Sequence, residues 1–104
     1  MKITFQQARE IALGYIESYD MPPEIQINGN KMILLEDEII EKEYGWIFSW
    51  APSKFIETGD LQYVAFSNSP FLVLRENGNL IEFASAYTID ENIKHYEKQH
   101  LKTN

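Results

Sequence analysis

Cysteine is absent from this 104-residue sequence, and its absence excludes disulfide scaffolds, thiol catalysis and cysteine-ligated metal sites. Long apolar runs are absent as well, since none reaches the roughly 18 residues that indicate a membrane-spanning helix. The first residues also lack the apolar core of a signal peptide. We therefore expect a cytoplasmic protein that is not attached to a membrane.

Positive charge is scarce. Nine lysines and arginines stand against 16 aspartates and glutamates, which gives a net charge of −7. Affinity for nucleic acids comes mainly from lysine and arginine contacts to phosphates, and binding to anionic membrane surfaces needs the same residues. The composition therefore predicts no nucleic-acid partner and no membrane partner, whereas a basic protein partner is compatible with it.

Residues suited to catalysis are few. The two histidines, His95 and His100, are five positions apart, so they do not share a helical face as a metal-binding pair would. No serine–histidine–aspartate arrangement can be assembled with any specificity. Glu57, Asp60 and Glu82 offer carboxylates, but acid–base chemistry needs two of them at a fixed separation, which a sequence does not reveal. We expect no cofactor, no metal site and no enzyme activity.

The sequence does contain enough apolar material for one folded domain over residues 1–104. Hydrophobic residues make up 44% and aromatic residues 13% of the chain, whereas disordered chains have few of either. Apolar residues recur every three or four positions over residues 4–19 and 88–100, which predicts two amphipathic helices. Both helices begin with a capping-box pattern: Thr4 with Gln7, and Thr88 with Glu91.

Strands and tight turns are predicted between the two helices. Trp46, Phe48 and Trp50 occupy alternate positions, so they are predicted to share one face of a strand. Asn-Gly pairs are typical of hairpin turns. They predict one hairpin of residues 24–27 with 31–35 and another of residues 71–75 with 80–84. We predict an α+β, two-layer fold in which an N-terminal and a C-terminal helix pack on an antiparallel sheet of about four strands.

An acidic run precedes the tryptophan strand. Residues 36–43 contain five acidic residues and one lysine around an Ile-Ile pair, and we expect a loop followed by an edge strand. Two interpretations are open: clustered carboxylates attract a basic cleft of a partner, or they protect an exposed sheet edge from aggregation. The acidic residues are Glu36, Asp37, Glu38, Glu41 and Glu43.

The order of several short motifs resembles a known family. The motifs are Tyr44-Gly45-Trp46-Ile47-Phe48, then Glu57-Thr58-Gly59-Asp60, then Asn68-Ser69-Pro70 leading into Phe71-Leu72-Val73. They are similar in order and spacing to the immunity protein 35 family, also called the YrhB-like domain, over nearly the whole chain. The resemblance implies a small bacterial protein that binds and neutralises the cognate toxin of a polymorphic toxin system, and it implies no catalytic residue.

Two sets of candidate residues follow. The residues expected to build the core strand and the turns of the family pattern are Gly45, Trp46, Phe48, Gly59, Asn68, Pro70 and Gly78. The residues expected to contact the toxin are Glu36, Asp37, Glu38, Glu41, Glu43, Trp50, Asp60 and Tyr63. For Trp50 and Tyr63 the core remains the competing interpretation, because aromatic residues are common both in interfaces and in cores.

The expected partner is a cognate toxin protein, for example one with a basic active-site cleft, which the protein blocks by stoichiometric occlusion as a monomer or a weak homodimer. The alternative is a general protein-binding or chaperone-like domain with no dedicated toxin. That alternative predicts weak binding to many unfolded clients and an exposed apolar patch.

Overall fold

The computed structural model describes residues 2–65 and 68–100 of the chain. The helices in this part are α1 (Phe5–Glu17), α2 (Ser53–Thr58) and α3 (Ile89–His100). The strands are β1 (Met32–Leu34), β2 (Ile40–Lys42), β3 (Gly45–Phe48), β4 (Trp50–Pro52), β5 (Phe71–Leu74) and β6 (Leu80–Glu82). Short 3₁₀ helices are found at Pro23–Ile25, Glu36–Glu38 and Leu61–Tyr63. Each of the described helices is too short or too polar to span a bilayer.

The strands form two antiparallel sheets. The larger sheet has four strands in the order β2-β3-β5-β6, and β1 pairs with β4 in a separate two-stranded sheet. In the larger sheet, β3 and β5 are the central strands, and Trp46 lies opposite Val73 while Ile47 lies opposite Leu72. The predicted α+β class and the four-stranded sheet are confirmed.

Both faces of the larger sheet are covered, so the fold has three layers and the predicted two-layer arrangement is wrong in this detail. Trp46 and Phe48 pack with Ala8, Ala12 and Ile16 of α1 on one face. On the opposite face, the pair Ile47 and Leu72 packs with Phe83 and with Ile93 of α3. Successive side chains of a strand point to opposite faces. The two-layer prediction considered only the face that carries Trp46 and Phe48. It did not include the second apolar face, which carries Ile47 and Leu72.

The capping boxes at the starts of α1 and α3 are confirmed. The backbone N–H of Gln7 donates to Thr4 Oγ1 over 3.2 Å, and the Thr4 N–H donates to Gln7 Oε1 over 2.9 Å. Thr88 and Glu91 repeat the arrangement, at 3.1 and 2.9 Å. Each box satisfies backbone donors that have no partner inside the helix, so the local sequence fixes where both helices begin.

Only the second predicted hairpin forms. β5 pairs with β6 as predicted, whereas residues 24–27 form no strand and β1 pairs with β4 instead. The Asn28-Gly29 turn is present, with φ values of 54° and 78°. Pro23 starts a 3₁₀ helix just before this turn. This helix includes Glu24 and Ile25, the first two residues of the predicted strand, so they are not extended and do not pair with residues 31–35.

Gly45 occupies the closest approach between β3 and β5. A Cβ atom at this position would lie 2.2 Å from the carbonyl oxygen of Val73, which belongs to the backbone and has no rotamer that relieves the clash. We expect Gly45→Ala to lower the free energy of unfolding by about 3 kcal/mol or more. Urea unfolding with an unchanged m-value would measure the loss.

Gly14 provides the matched control for that substitution. It lies in α1, where an added Cβ would meet no atom within 4 Å. Alanine is a better helix former than glycine, so Gly14→Ala should raise the free energy of unfolding by about 0.5–1 kcal/mol. Equal tolerance of alanine at both positions would contradict the tight packing inferred for Gly45.

Candidate protein-binding surface

The acidic run forms one edge of the larger sheet. Its first three residues make the 3₁₀ helix Glu36–Glu38, and β2 follows as the edge strand beside β3. Ile39 packs against the α1 side of the core and Ile40 against the α3 side. These two isoleucines anchor the run and leave its carboxylates at the surface. We call Glu36, Asp37, Glu38, Glu41 and Glu43 the acidic edge.

Glu36 is neutralised by an arginine of α1. Arg9 Nε donates to both carboxylate oxygens of Glu36 over 3.1 Å, and Arg9 Nη2 makes a closer contact with Oε2. Hydrogen bonding and the charge of Arg9 lower the pKa of Glu36. The same carboxylate raises the pKa of Arg9. A two-pronged pair of this kind fixes the orientation of both side chains, although its partial exposure limits its contribution to stability.

Glu41 is held by a second arginine, Arg75. The Nη2 atom of Arg75 lies 3.1 Å from Glu41 Oε2 and donates to the carbonyl oxygen of Lys42 over 2.8 Å. Its Nε donates to the carbonyl oxygen of Glu43 over 3.0 Å. The guanidinium group also stacks over the Trp46 ring, 4.2 Å from the centroid. Arg75 therefore ties the turn after β2 to the core of the sheet.

Three carboxylates of the acidic edge remain without a charge partner. Asp37, Glu38 and Glu43 are exposed, and within residues 2–65 and 68–100 their side chains form no ion pair and no hydrogen bond. The lysine of the run, Lys42, lies 3.9 Å from Glu97 of α3. The sequence indicated five carboxylates for a basic partner, whereas three of them are free of ion pairs in the described structure.

Trp50 and Tyr63 are buried, which corrects their expected place on a contact surface. Trp50 is 3% exposed and Tyr63 is 6% exposed. Trp50 Nε1 donates to the carbonyl oxygen of Ser69 over 2.8 Å, and the Tyr63 hydroxyl accepts from Asn28 Nδ2 over 2.8 Å. Each polar atom is satisfied within the protein, as buried tryptophan and tyrosine side chains usually are. Neither side chain is therefore exposed to a partner.

Asp60 lies at the surface and organises a turn. Its Oδ1 accepts from the backbone N–H of Gln62 over 3.1 Å, and its Oδ2 accepts from Gln62 Nε2 over 3.0 Å. Asp60 thereby caps the 3₁₀ helix Leu61–Tyr63. Gly59 precedes it with a φ of 72° and ends α2.

The other residues of the family pattern are placed in the core and at turns. Trp46 and Phe48 are core residues of β3. Asn68 Nδ2 donates to the carbonyl oxygen of Trp50 over 2.7 Å. The carbonyl oxygen of Pro70 accepts from the Phe83 N–H over 2.9 Å. Gly78 takes a φ of 77° in the turn between β5 and β6.

Comparison with known proteins agrees with this arrangement. A sequence model of the family described as Immunity protein 35 matches residues 6–98, a span that reaches from the first turn of α1 to the last turn of α3.

The chain belongs to the Immunity protein 35 family. The resemblance found in the sequence is thereby confirmed. The chain is also similar to the uncharacterized protein YrhB of Escherichia coli strain K12. The two are 26% identical over 95 residues, which cover 91% of this chain and 89% of that protein. No solved structure matches the chain.

The family match spans both sets of candidate residues, and the geometry separates them. Apart from Asn68 and the turn glycines, the residues of the family pattern lie in or beside β3 and β5, whereas the acidic edge lies at the sheet margin. Two features of this margin escaped the sequence analysis: the pairing of Glu36 with Arg9 and the pairing of Glu41 with Arg75. Both join residues that are 27 or more positions apart, and no local pattern reveals such pairs.

Two clefts of similar volume lie on the described structure. One cleft of about 520 Å³ lies beside the C-terminal end of α1, and another of about 500 Å³ lies between Tyr44, Arg75 and Tyr96. Ionisable side chains line the second cleft, among them Glu43, Glu76 and His100. No group of three or more histidine, aspartate or glutamate side chains in the described part of the chain is arranged to hold a metal ion.

Arg75 should be the most sensitive charged position at this margin. Arg75→Lys keeps the positive charge but removes the planar group that bonds two carbonyl oxygens and stacks on Trp46. We expect the free energy of unfolding to fall by about 1–3 kcal/mol, measured by urea unfolding. Lys54→Gln is the control, because Lys54 makes only a surface pair with Glu57 at 3.5 Å, and its loss should change stability by about 0.5 kcal/mol or less. Similar small effects for both variants would show that Arg75 does not organise the acidic edge.

Proposed function

We propose that this protein binds one toxin domain and blocks it by occlusion, without turnover. The observation that carries the proposal is the match to the Immunity protein 35 family over residues 6–98. The proposed partner is the cognate toxin of a bacterial polymorphic toxin system, with a basic active-site cleft, and the proposed location is the cytoplasm. Occlusion needs a fixed surface of complementary charge and shape, and no catalytic group.

The charge of the protein supports a basic partner. Its net charge is −7. Among the described residues, no side chain forms an ion pair with Asp37, Glu38 or Glu43 of the acidic edge. Opposite charges on two partners speed their encounter and fix their relative orientation more than they raise the final affinity. The proposed role of these carboxylates is therefore to attract the toxin and to set its register.

The acidic edge is also held in place before binding. Arg9 fixes Glu36, Arg75 fixes Glu41 and the carbonyl groups around it, and the two isoleucines anchor the backbone between them. A surface that is already ordered loses less conformational entropy on binding. This supports a dedicated inhibitor that presents one shape to one partner.

The chaperone-like alternative receives less support. It requires a broad apolar surface, and the large apolar side chains that are exposed in the described structure come mostly from separate segments. They are Phe5, Ile27, Ile56, Leu61 and Tyr87. Weak binding to many unfolded proteins would be its signature, and suppression of the aggregation of heat-denatured citrate synthase would be the assay that reveals it.

Calorimetric titration of the protein with the toxin domain encoded beside its gene tests the proposal. We expect one-to-one binding, full inhibition of the toxin at equimolar concentration, and restored growth of cells that express both proteins. Replacing the unpaired carboxylates, Asp37→Asn with Glu38→Gln and Glu43→Gln, should slow association about 10-fold or more at low salt and flatten its salt dependence. Stability should hardly change, because these side chains have no partner in the fold.

Asp20→Asn with Glu24→Gln forms the control for this experiment. Both residues are exposed, lie beyond the C-terminal end of α1 and do not belong to the acidic edge. The pair removes two negative charges, compared with three in the acidic-edge variant. Association of this control should stay near the wild-type rate. Absence of binding by the wild-type protein would refute the proposed function, whereas equal effects of the two sets of variants would refute only the role of the acidic edge.

A further inference from the structure

Residues 53–63 form a small compact unit at the surface, which we call the α2 platform. It consists of α2, the turn at Gly59 and Asp60, and the 3₁₀ helix Leu61–Tyr63, and the two helical pieces pack against each other. Gly59 ends α2 with a φ of 72°, and its N–H donates to the carbonyl oxygen of Phe55 over 2.8 Å. Thr58 and Asp60 then close the turn through side-chain hydrogen bonds to nearby backbone groups.

The inner side of the platform is fixed by the turn at residues 28–30. Asn30 is buried, and its Oδ1 accepts from the backbone N–H of Lys54 over 2.9 Å. Its Nδ2 lies 3.4 Å from the carbonyl oxygen of Tyr63. Asn28 Nδ2 donates to the Tyr63 hydroxyl over 2.8 Å. Hydrogen bonds thus hold both ends of the platform, so its outer side is presented in one orientation.

Two large aliphatic side chains are exposed on this platform. Ile56 is 53% exposed and Leu61 is 76% exposed, and neither belongs to a core cluster of the described structure. Two other exposed apolar side chains, Phe5 and Tyr87, have ring contacts within the protein. Phe5 lies 5.9 Å from the Trp46 ring, and Tyr87 lies 4.7 Å from the His95 ring. Ile56 and Leu61 are therefore not explained by a role in the core clusters of the described structure.

We propose that the α2 platform is the apolar contact surface for the toxin, with Ile56 and Leu61 packing against an apolar patch that basic residues border. This inference rests on the proposed function and adds a second, apolar region to its acidic edge. Apolar side chains on a rigid support lose little entropy on binding and exclude water from the centre of an interface.

Charge identifies the kind of partner that suits this surface. Glu57 and Asp60 flank the two aliphatic side chains in the sequence, and Lys54, the only cation among residues 53–63, pairs with Glu57 at 3.5 Å, which leaves the platform a net charge of −1. A second copy of the chain would bring the same carboxylates together and would carry its own net charge of −7. Like charges oppose such a contact, whereas an apolar patch with a basic border complements it.

The platform and the acidic edge can be altered separately. α2 follows β4, and the 3₁₀ helix Glu36–Glu38 follows β1. Because β1 and β4 are antiparallel, with Leu34 opposite Trp50 and Met32 opposite Pro52, the two surfaces leave from opposite ends of that strand pair. Substitutions on one should leave the structure of the other intact.

Calorimetry with the toxin domain encoded beside the gene tests the platform. We expect Ile56→Ser with Leu61→Ser to weaken binding by about 50-fold, and Leu61→Ser alone by about 10-fold. The salt dependence of association should remain that of the wild-type protein, since no charge changes. Tyr87→Ser is the control, because it also removes an exposed apolar side chain but lies outside the platform, and its affinity should stay within about threefold of wild type. The single variant Leu61→Ser shows whether the loss of affinity comes from misfolding. A side chain that is 76% exposed adds little to stability, so this variant should remain folded.

The outcomes separate the two proposals. If the wild-type protein binds and the double variant binds equally well, the platform is not the contact surface and the proposed function stands. If the wild-type protein does not bind the toxin, the proposed function is refuted, and the toxin is also refuted as the partner of the α2 platform. If sedimentation shows a wild-type dimer that the double variant converts to a monomer, the platform joins two copies of the chain and the inference is overturned.

Discussion

The pairing of β3 with β5 is the constraint on which the rest of the structure depends. Every residue of β3 and the first three residues of β5 are buried, so this strand pair is apolar on both faces. A two-sided apolar sheet is stable only when both faces are covered. α1 covers the face that carries Trp46 and Phe48, and α3 covers the face that carries Ile47 and Leu72. Gly45 permits the close approach of the two backbones at the end of the pair, where it lies opposite Leu74.

The surfaces proposed for binding are the parts of the chain that this core does not use. The acidic edge is the margin of the sheet, where β2 has a partner strand on only one side. The α2 platform leaves from the smaller sheet and is held by asparagine side chains. Both are held to the core by specific contacts, and the carboxylates of the acidic edge and the side chains of Ile56 and Leu61 are exposed.

The sequence predicts what depends on local pattern. Capping residues predicted the starts of both long helices, and the Asn-Gly pair before β6 predicted that hairpin. Alternation predicted β3 with Trp46 and Phe48, but the predicted strand divides at Ser49 and Trp50 lies in β4 of the smaller sheet. Contacts between distant residues were harder to predict. Three features depend on tertiary packing, which overrides local preference. They are the pairing of β1 with β4, the packing of α3 on the second face of the larger sheet, and the short helix α2.

The candidate site shows the same division. The sequence identified the acidic edge as a run of charge, yet it did not reveal that Arg9 and Arg75 neutralise Glu36 and Glu41. It also predicted Trp50 and Tyr63 as contact residues, because a sequence does not distinguish an aromatic residue of the core from one of an interface. Both are buried. The exposure of Ile56 and Leu61 depends on tertiary packing, and no local sequence pattern revealed it.

Hydrogen exchange of the backbone amides, measured with and without the toxin domain, tests the central claim most directly. The account predicts that bound toxin slows exchange in residues 36–43 and 53–63, while the amides of β3 and β5, already protected by the core, change little. Slower exchange confined to another surface, or no change at saturating toxin, would contradict it.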